Sequence, residues 1–82
     1  MYTVYILESC DSKRHYIGQT NNMSLRLSRY NNGEVRSTKA YAPWKILYTE
    51  EYDTRSGAVS REKALKRMKG GIQFKKVIQG CG

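Results

Sequence analysis

Met1–Gly18 reads MYTVYILESCDSKRHYIG: an alternating apolar run, a polar break, and a second short run ending in Tyr-Ile-Gly. Alternation with a period of two marks a strand. In the first run Tyr2, Val4 and Ile6 share one face, and Thr3, Tyr5 and Leu7 the other. The first strand is expected from Tyr2 to about Leu7 and the second from about His15 to Thr20. Glu8–Arg14, rich in Ser, Asp and Lys, is turn material, so the two strands form an antiparallel hairpin. Tyr5 and Tyr16 then lie at nearly equal depth in adjacent strands. Either both fill a core, as strand tyrosines commonly do, or they begin a site that the rest of the chain completes.

Beyond the hairpin, Asn21 or Asn22 caps a helix expected from about Met23 to Tyr30. Met23, Leu27 and Tyr30 recur at i, i+4 and i+7 as one buried stripe, with Arg26 beside it. Asn31-Asn32-Gly33 ends the helix, because Asn and Gly tolerate the left-handed conformation of a helix stop. Glu34–Pro43 is a loop in which Arg36, Ser37, Thr38, Lys39 and Tyr41 combine positive, hydroxyl and aromatic groups. It is either a solvated connection or a contact for a phosphate backbone, where Arg36 and Lys39 would bind. Trp44–Tyr52 is the third strand, and Asp53 or Thr54 caps a second long helix of about Arg55–Lys69. Ala58, Leu65 and Met68 mark its buried face, helped by Val59 and Ala64. Gly70-Gly71 breaks it, and a short helix of about Gln73–Gln79 turns Phe74, Val77 and Ile78 inward. The predicted class is α/β (α+β): a three-stranded, mainly antiparallel sheet flanked by helices, in the order β-β-α-β-α-α. Residues 1–79 form one domain, and the tail Gly80–Gly82 is expected to fray.

The chain has 82 residues, too few for a deep cofactor cavity. Fifteen Lys and Arg against seven Asp and Glu leave a net charge of +8. That excess favours a polyanionic partner, nucleic acid before membrane. No apolar run spans a bilayer and no secretory leader pattern is present. Cys10 and Cys81 stand apart without metal-ligand spacing and read as reduced thiols of a cytoplasmic protein.

Glu62 is the informative residue of the second half. At about 100° per residue it lies about 60° from Leu65 and about 40° from Ala58, so it edges the apolar face of its helix. Lys63 and Arg67 point away, and Arg61 and Lys66 flank it. A carboxylate there needs compensation. An ion pair with Arg26 or a nearby Lys would supply it, and so would a divalent cation with Glu62 as ligand. The basic run Arg61, Lys63, Lys66, Arg67, Lys69, Lys75 and Lys76 contains this one acid. It is either a solvated helix face or a DNA-contacting surface.

These residues in this order resemble the GIY-YIG endonuclease domain family. Tyr16-Ile17-Gly18 is the literal YIG element, and Thr3-Val4-Tyr5 stands as a GIY element that keeps its tyrosine and replaces its glycine. Arg26 follows Tyr16 by ten positions, where the family has its helix arginine, and Tyr30 follows four later, where it has Tyr or His. Glu62, in Ser60-Arg61-Glu62-Lys63-Ala64, is similar to the family's metal-binding glutamate. A downstream asparagine of the family is missing, and Gln73 is the amide nearest that place. The length resembles that of the small stand-alone bacterial members, and the domain is similar to the N-terminal nuclease domain of the excinuclease.

The resemblance implies cleavage of DNA phosphodiesters with Mg²⁺ (or Mn²⁺), structure-directed or weakly sequence-specific, in a setting such as DNA repair or recombination. RNA remains open as a substrate, as does a targeting protein partner, and no membrane is implied. The alternative is a catalytically weak nucleic-acid-binding module that retains the fold. The implied catalytic residues are Tyr5, Tyr16, Arg26, Tyr30 and Glu62, with Glu62 on the metal. Gly18 would give the scissile phosphate room to approach, and Lys63, Lys66 and Gln73 would bind substrate. The chemistry agrees. Mg²⁺ keeps most of its waters and accepts one or two carboxylates plus phosphate oxygens, so a lone glutamate suffices. An arginine fork clamps a phosphate. Tyr5 and Tyr16 are both candidates for the base, with Tyr5 narrowly preferred. His15, which should point opposite Tyr16, is read as a surface or turn residue.

Overall fold

Val4, Tyr5, Ile6 and Leu7 are all fully buried, and that run of four defines the architecture. A strand covered on both faces must be central. In the computed structural model, which describes residues 1–10, 14–36, 38–69 and 71–79, β1 (Tyr2–Ser9) lies between β2 (His15–Thr20) and β3 (Trp44–Tyr52). Both pairings are antiparallel. The connecting turn at 11–13, Ser37 of the loop, Gly70 and the tail 80–82 with Cys81 lie outside the described residues.

The two faces of β1 feed two cores. Val4 and Ile6 pack with Ile17, Ala58, Leu65 and Phe74. Tyr5 and Leu7 pack with Tyr30 and Trp44. The result is three layers. Helix α1 (Met23–Asn31) covers the tyrosine face, and α2 (Arg55–Met68) with α3 (Ile72–Gln79) covers the other.

Local chemistry sets the element ends. The Asn22 side chain accepts the Leu25 N–H at 3.1 Å and starts α1, and Thr54 does the same for Gly57 at the head of α2. Gly33, at φ +74°, supplies the left-handed residue after α1. The stripe Met23, Leu27 and Tyr30 packs against the tyrosine core as its spacing predicts. Asn31 then ties α1 to β3, accepting from Trp44 N at 2.6 Å and donating to Trp44 O at 3.2 Å.

Three details differ from the sequence reading. β1 continues two residues past Leu7, because Glu8 is matched across the strands by His15 and Lys45, each 3.3 Å away. The loop contains one 3₁₀ turn, Lys39–Tyr41. His15 is neither a surface nor a turn residue. It is the half-buried first residue of β2, edge-on to Phe74 at 5.5 Å between ring centres.

Glu50 pins β3 to α2. Arg61 grips it with Nε at 2.9 Å and Nη2 at 3.0 Å, Tyr52 donates at 2.6 Å, and Tyr48 donates as well. Burial alone would push the Glu50 carboxyl up, but the hydrogen bonds from Arg61, Tyr48 and Tyr52 outweigh it and hold the group below its ordinary value.

Candidate active site

The antiparallel register places Tyr5 opposite Gly18 and Leu7 opposite Tyr16. Residues opposite one another share a face, so both tyrosines and Gly18 look toward α1. α1 delivers Arg26 and Tyr30, one helical turn apart, to the same place.

There the Tyr5 and Tyr30 hydroxyls are 2.8 Å apart, and Arg26 Nε donates to Tyr5 at 3.4 Å. The Tyr30 ring stands edge-on to Tyr5 at 6.2 Å and to Tyr16 at 5.2 Å. The Arg26 guanidinium lies 5.9 Å from the Tyr30 ring centre. Burial pushes the Tyr30 hydroxyl far above the ordinary tyrosine value, its hydrogen bond to Tyr5 adds to that, and Tyr16 adds further. Tyr30 therefore stays protonated at any physiological pH. The hydrogen bond to Tyr5 raises the pKa of Arg26, and the neighbouring Tyr30 and Tyr16 reinforce the shift.

Tyr5 and Tyr30 are buried, with 0% and 1% exposure, whereas Tyr16 is only half-buried. Access therefore separates Tyr16 from Tyr5, the two tyrosines that the sequence leaves as candidates for the base. Gly18 corrects an expectation. A Cβ there would lie 2.7 Å from Cζ of Tyr5 and closer still to the hydroxyl. The room left by the missing side chain is filled by the Tyr5 phenol and is not an open approach for a phosphate.

Glu62 arrives from the other layer. Its helix packs against Val4, Ile6 and Ile17, with Lys69 donating to the His15 carbonyl of edge strand β2 at 2.7 Å. Glu62 accepts from Lys66 at 2.7 Å, so the compensating partner is a lysine one turn away and not Arg26. That hydrogen bond raises the Lys66 pKa first, and the nearby Tyr16 and Tyr5 raise it further. Lys66 thus lies within electrostatic reach of Tyr16 and Tyr5.

The remaining sequence candidates are spread more widely. Arg36 is exposed in the loop, and Lys39 lays its alkyl chain against Gly33. Lys63 borders a separate depression beside Arg55, Ser56 and Ser60. Gln73 is exposed on α3. None of these four stacks on or hydrogen-bonds to the tyrosine cluster. Among the described residues no three His, Cys, Asp or Glu side chains come together. A single carboxylate still fits a hard cation that keeps its waters and takes further oxygens from a substrate phosphate.

Sequence reading passed over a pocket of about 360 Å³ beside Tyr16, which also involves Arg14, Thr38, Tyr41, Trp44 and Lys69. Arg14 lies over the Tyr41 ring, 4.4 Å from its centre. No spacing rule joins a residue at the end of a hairpin turn to a loop aromatic. The one available signal was the concentration of aromatic and basic residues in 36–45.

The sequence model of the GIY-YIG catalytic domain matches residues 1–75. A UPF0213 protein of Syntrophus aciditrophicus is 40% identical over 67 residues, which cover 79% of this chain and 76% of the relative. A UPF0213 protein of Streptococcus pneumoniae is 37% identical, covering 80% and 67%. One from Staphylococcus saprophyticus is 30% identical, covering 94% of each chain. No solved structure matches the chain.

Proposed function

The chain belongs to the GIY-YIG catalytic domain family, and from that membership we propose that it is a metal-dependent endonuclease cutting DNA phosphodiester bonds, structure-directed or weakly sequence-specific. The observation that carries the reading is the convergence of Tyr5, Tyr16, Arg26 and Tyr30 on one face of the sheet.

Each side chain has a distinct task. Arg26 Nε is held by Tyr5, which leaves its Nη groups to donate to a non-bridging phosphate oxygen. Tyr16, the half-buried phenol, takes the proton of the attacking water. This reverses the sequence-based preference, since Tyr5 has no surface from which to reach water. Tyr5 and Tyr30 are positioning residues that fix the angle of Arg26. Glu62 would hold Mg²⁺ or Mn²⁺, which when bound stabilises charge on the phosphate and the leaving oxygen as a Lewis acid. The exposed cations of α2 and α3, Lys63, Lys66, Arg67, Lys75 and Lys76, supply sequence-independent attraction to the backbone.

Cys10, free and exposed, fits a reducing cytoplasmic setting, and no described helix is long and apolar enough to cross a membrane. Repair or recombination is the class of process that uses such a cut. A targeting partner would supply selectivity beyond what one small domain carries.

One observation favours the second reading, a binding module without catalysis: Lys66 already neutralises Glu62. Incubation with supercoiled plasmid and branched DNA in Mg²⁺ or Mn²⁺ separates the two. The nuclease nicks, whereas the binding module shows only salt-dependent retention of DNA.

A further inference from the structure

The pocket beside Tyr16 has a composition suited to one kind of ligand. Tyr16, Tyr41 and Trp44 give it aromatic walls, and Arg14 and Lys69 give it a cationic rim. Its volume of about 360 Å³ lies at the small end of the range in which compact ligands bind, about 300–1,000 Å³. Among the described residues no carboxylate lines it, and the whole chain carries +8. Two of its polar groups are already committed within the protein. Thr38 Oγ1 donates to Val35 O at 3.3 Å, and Trp44 Nε1 donates to Thr38 O at 3.1 Å.

We infer that this pocket receives an unpaired nucleobase next to the phosphate under attack, so the favoured substrate carries a nucleotide outside the duplex stack at the cut. Aromatic faces with a positive rim hold single-stranded nucleotides by stacking and charge, tolerant of base identity. A base inside a duplex is sandwiched by its neighbours and offers no free face, so entry requires a bulge, branch, frayed end or single strand. Tyr16 belongs both to the pocket and to the tyrosine cluster, which places the captured nucleotide directly beside the scissile phosphate. The inference rests on the nuclease reading for the position of the cut, but base capture is measurable without cleavage.

Trp44 is the only tryptophan of the chain, so tryptophan emission comes from a wall of this pocket. The protein is titrated, in chelator and without divalent cation, with a fully paired duplex and with the same duplex carrying one bulged thymidine. The bulged duplex should bind about tenfold tighter and change Trp44 emission, while the paired duplex binds without that change. Tyr41→Leu, which keeps apolar bulk but removes the stacking face, should reduce the preference to about twofold or less. If circular dichroism shows that this variant does not fold, Arg14→Ala, on an exposed side chain, is required to reduce the preference instead. Equal affinity for the two duplexes, or a folded variant that keeps the full preference, overturns the inference. A protein that captures the bulge but never nicks with metal counts against the nuclease reading alone. One that nicks both duplexes alike, with unchanged Trp44 emission, counts against base capture alone.

Discussion

The Tyr5 and Tyr30 hydroxyls share a 2.8 Å hydrogen bond inside the core, and Arg26 donates to the Tyr5 end of it. Strand β1 and helix α1 are thereby locked to each other at the point where the one arginine of the cluster emerges. Positioning of Arg26, the proposed phosphate clamp, and stability of the tyrosine core are therefore one property.

Tyr30→Phe should destabilise the domain by about 0.5–1.5 kcal/mol at neutral pH, a fall of several degrees in melting temperature. It should also change the alkaline profile. Tyr30, Tyr48 and Tyr52 all have raised pKa values, Tyr30 through burial and the other two first through their hydrogen bonds to Glu50. A raised tyrosine stabilises the fold fully below its unfolded pKa near 10, and that stability is lost as pH rises through the folded value. Wild-type melts should therefore weaken above about pH 10, and the variant should weaken less.

Gly18→Ala should cost about 1–3 kcal/mol, because the new methyl meets the Tyr5 ring and hydroxyl. In a Tyr5→Leu background the same change should cost distinctly less. Denaturant melts of the two single variants and the double variant give the coupling, and strict additivity would show that Gly18 does not make room for Tyr5.

Glu50→Gln should lose about 1.5–3 kcal/mol at pH 7, since Arg61, Tyr48 and Tyr52 all donate to the carboxylate. The Glu50 pKa is lowered in the fold. Its contribution is thus present above the unfolded value near 4.3 and disappears as pH falls through the folded value. Urea melts at neutral and at acid pH should show the gap between wild type and variant closing in acid.

Tyr16→Phe should slow nicking by about 10²–10⁴-fold and flatten the rise of rate with pH, as loss of a general base does. Tyr5→Phe should act mainly through stability and through a looser Arg26, with a smaller loss of rate. If Tyr5→Phe is the slower enzyme and shows the flattened profile, the burial argument for Tyr16 fails.

The layered sheet was legible because its patterns are local. The alternation of 2–7, the stripe Met23, Leu27 and Tyr30, and the Asn22 and Thr54 caps each need only a few neighbouring residues. β1 outran its predicted end because Glu8 is a strand residue only in the presence of His15 and Lys45, which come from two other strands. The function of Gly18 was hidden for the same reason, since its partner is a ring on the adjacent strand. The family resemblance brought forward Tyr5, Tyr16, Arg26, Tyr30 and Glu62, but it could not rank the tyrosines, because exposure is set by packing. It could not assemble the pocket of Arg14, Tyr41 and Trp44, because three separate segments meet there.

The role of Glu62 is the sharpest point of the account. Its pair with Lys66 is an exposed i,i+4 contact, worth about 0.3–0.5 kcal/mol, so little stability is at stake in removing its charge. Nicking of supercoiled and branched DNA by wild type and Glu62→Gln, each with Mg²⁺, Mn²⁺ or chelator, tests that role. Wild type should nick only with metal. Glu62→Gln should bind DNA and melt nearly as wild type does, yet fail to nick. A Glu62→Gln protein that nicks at the wild-type rate, or a wild type that nicks equally well in chelator, would contradict the account.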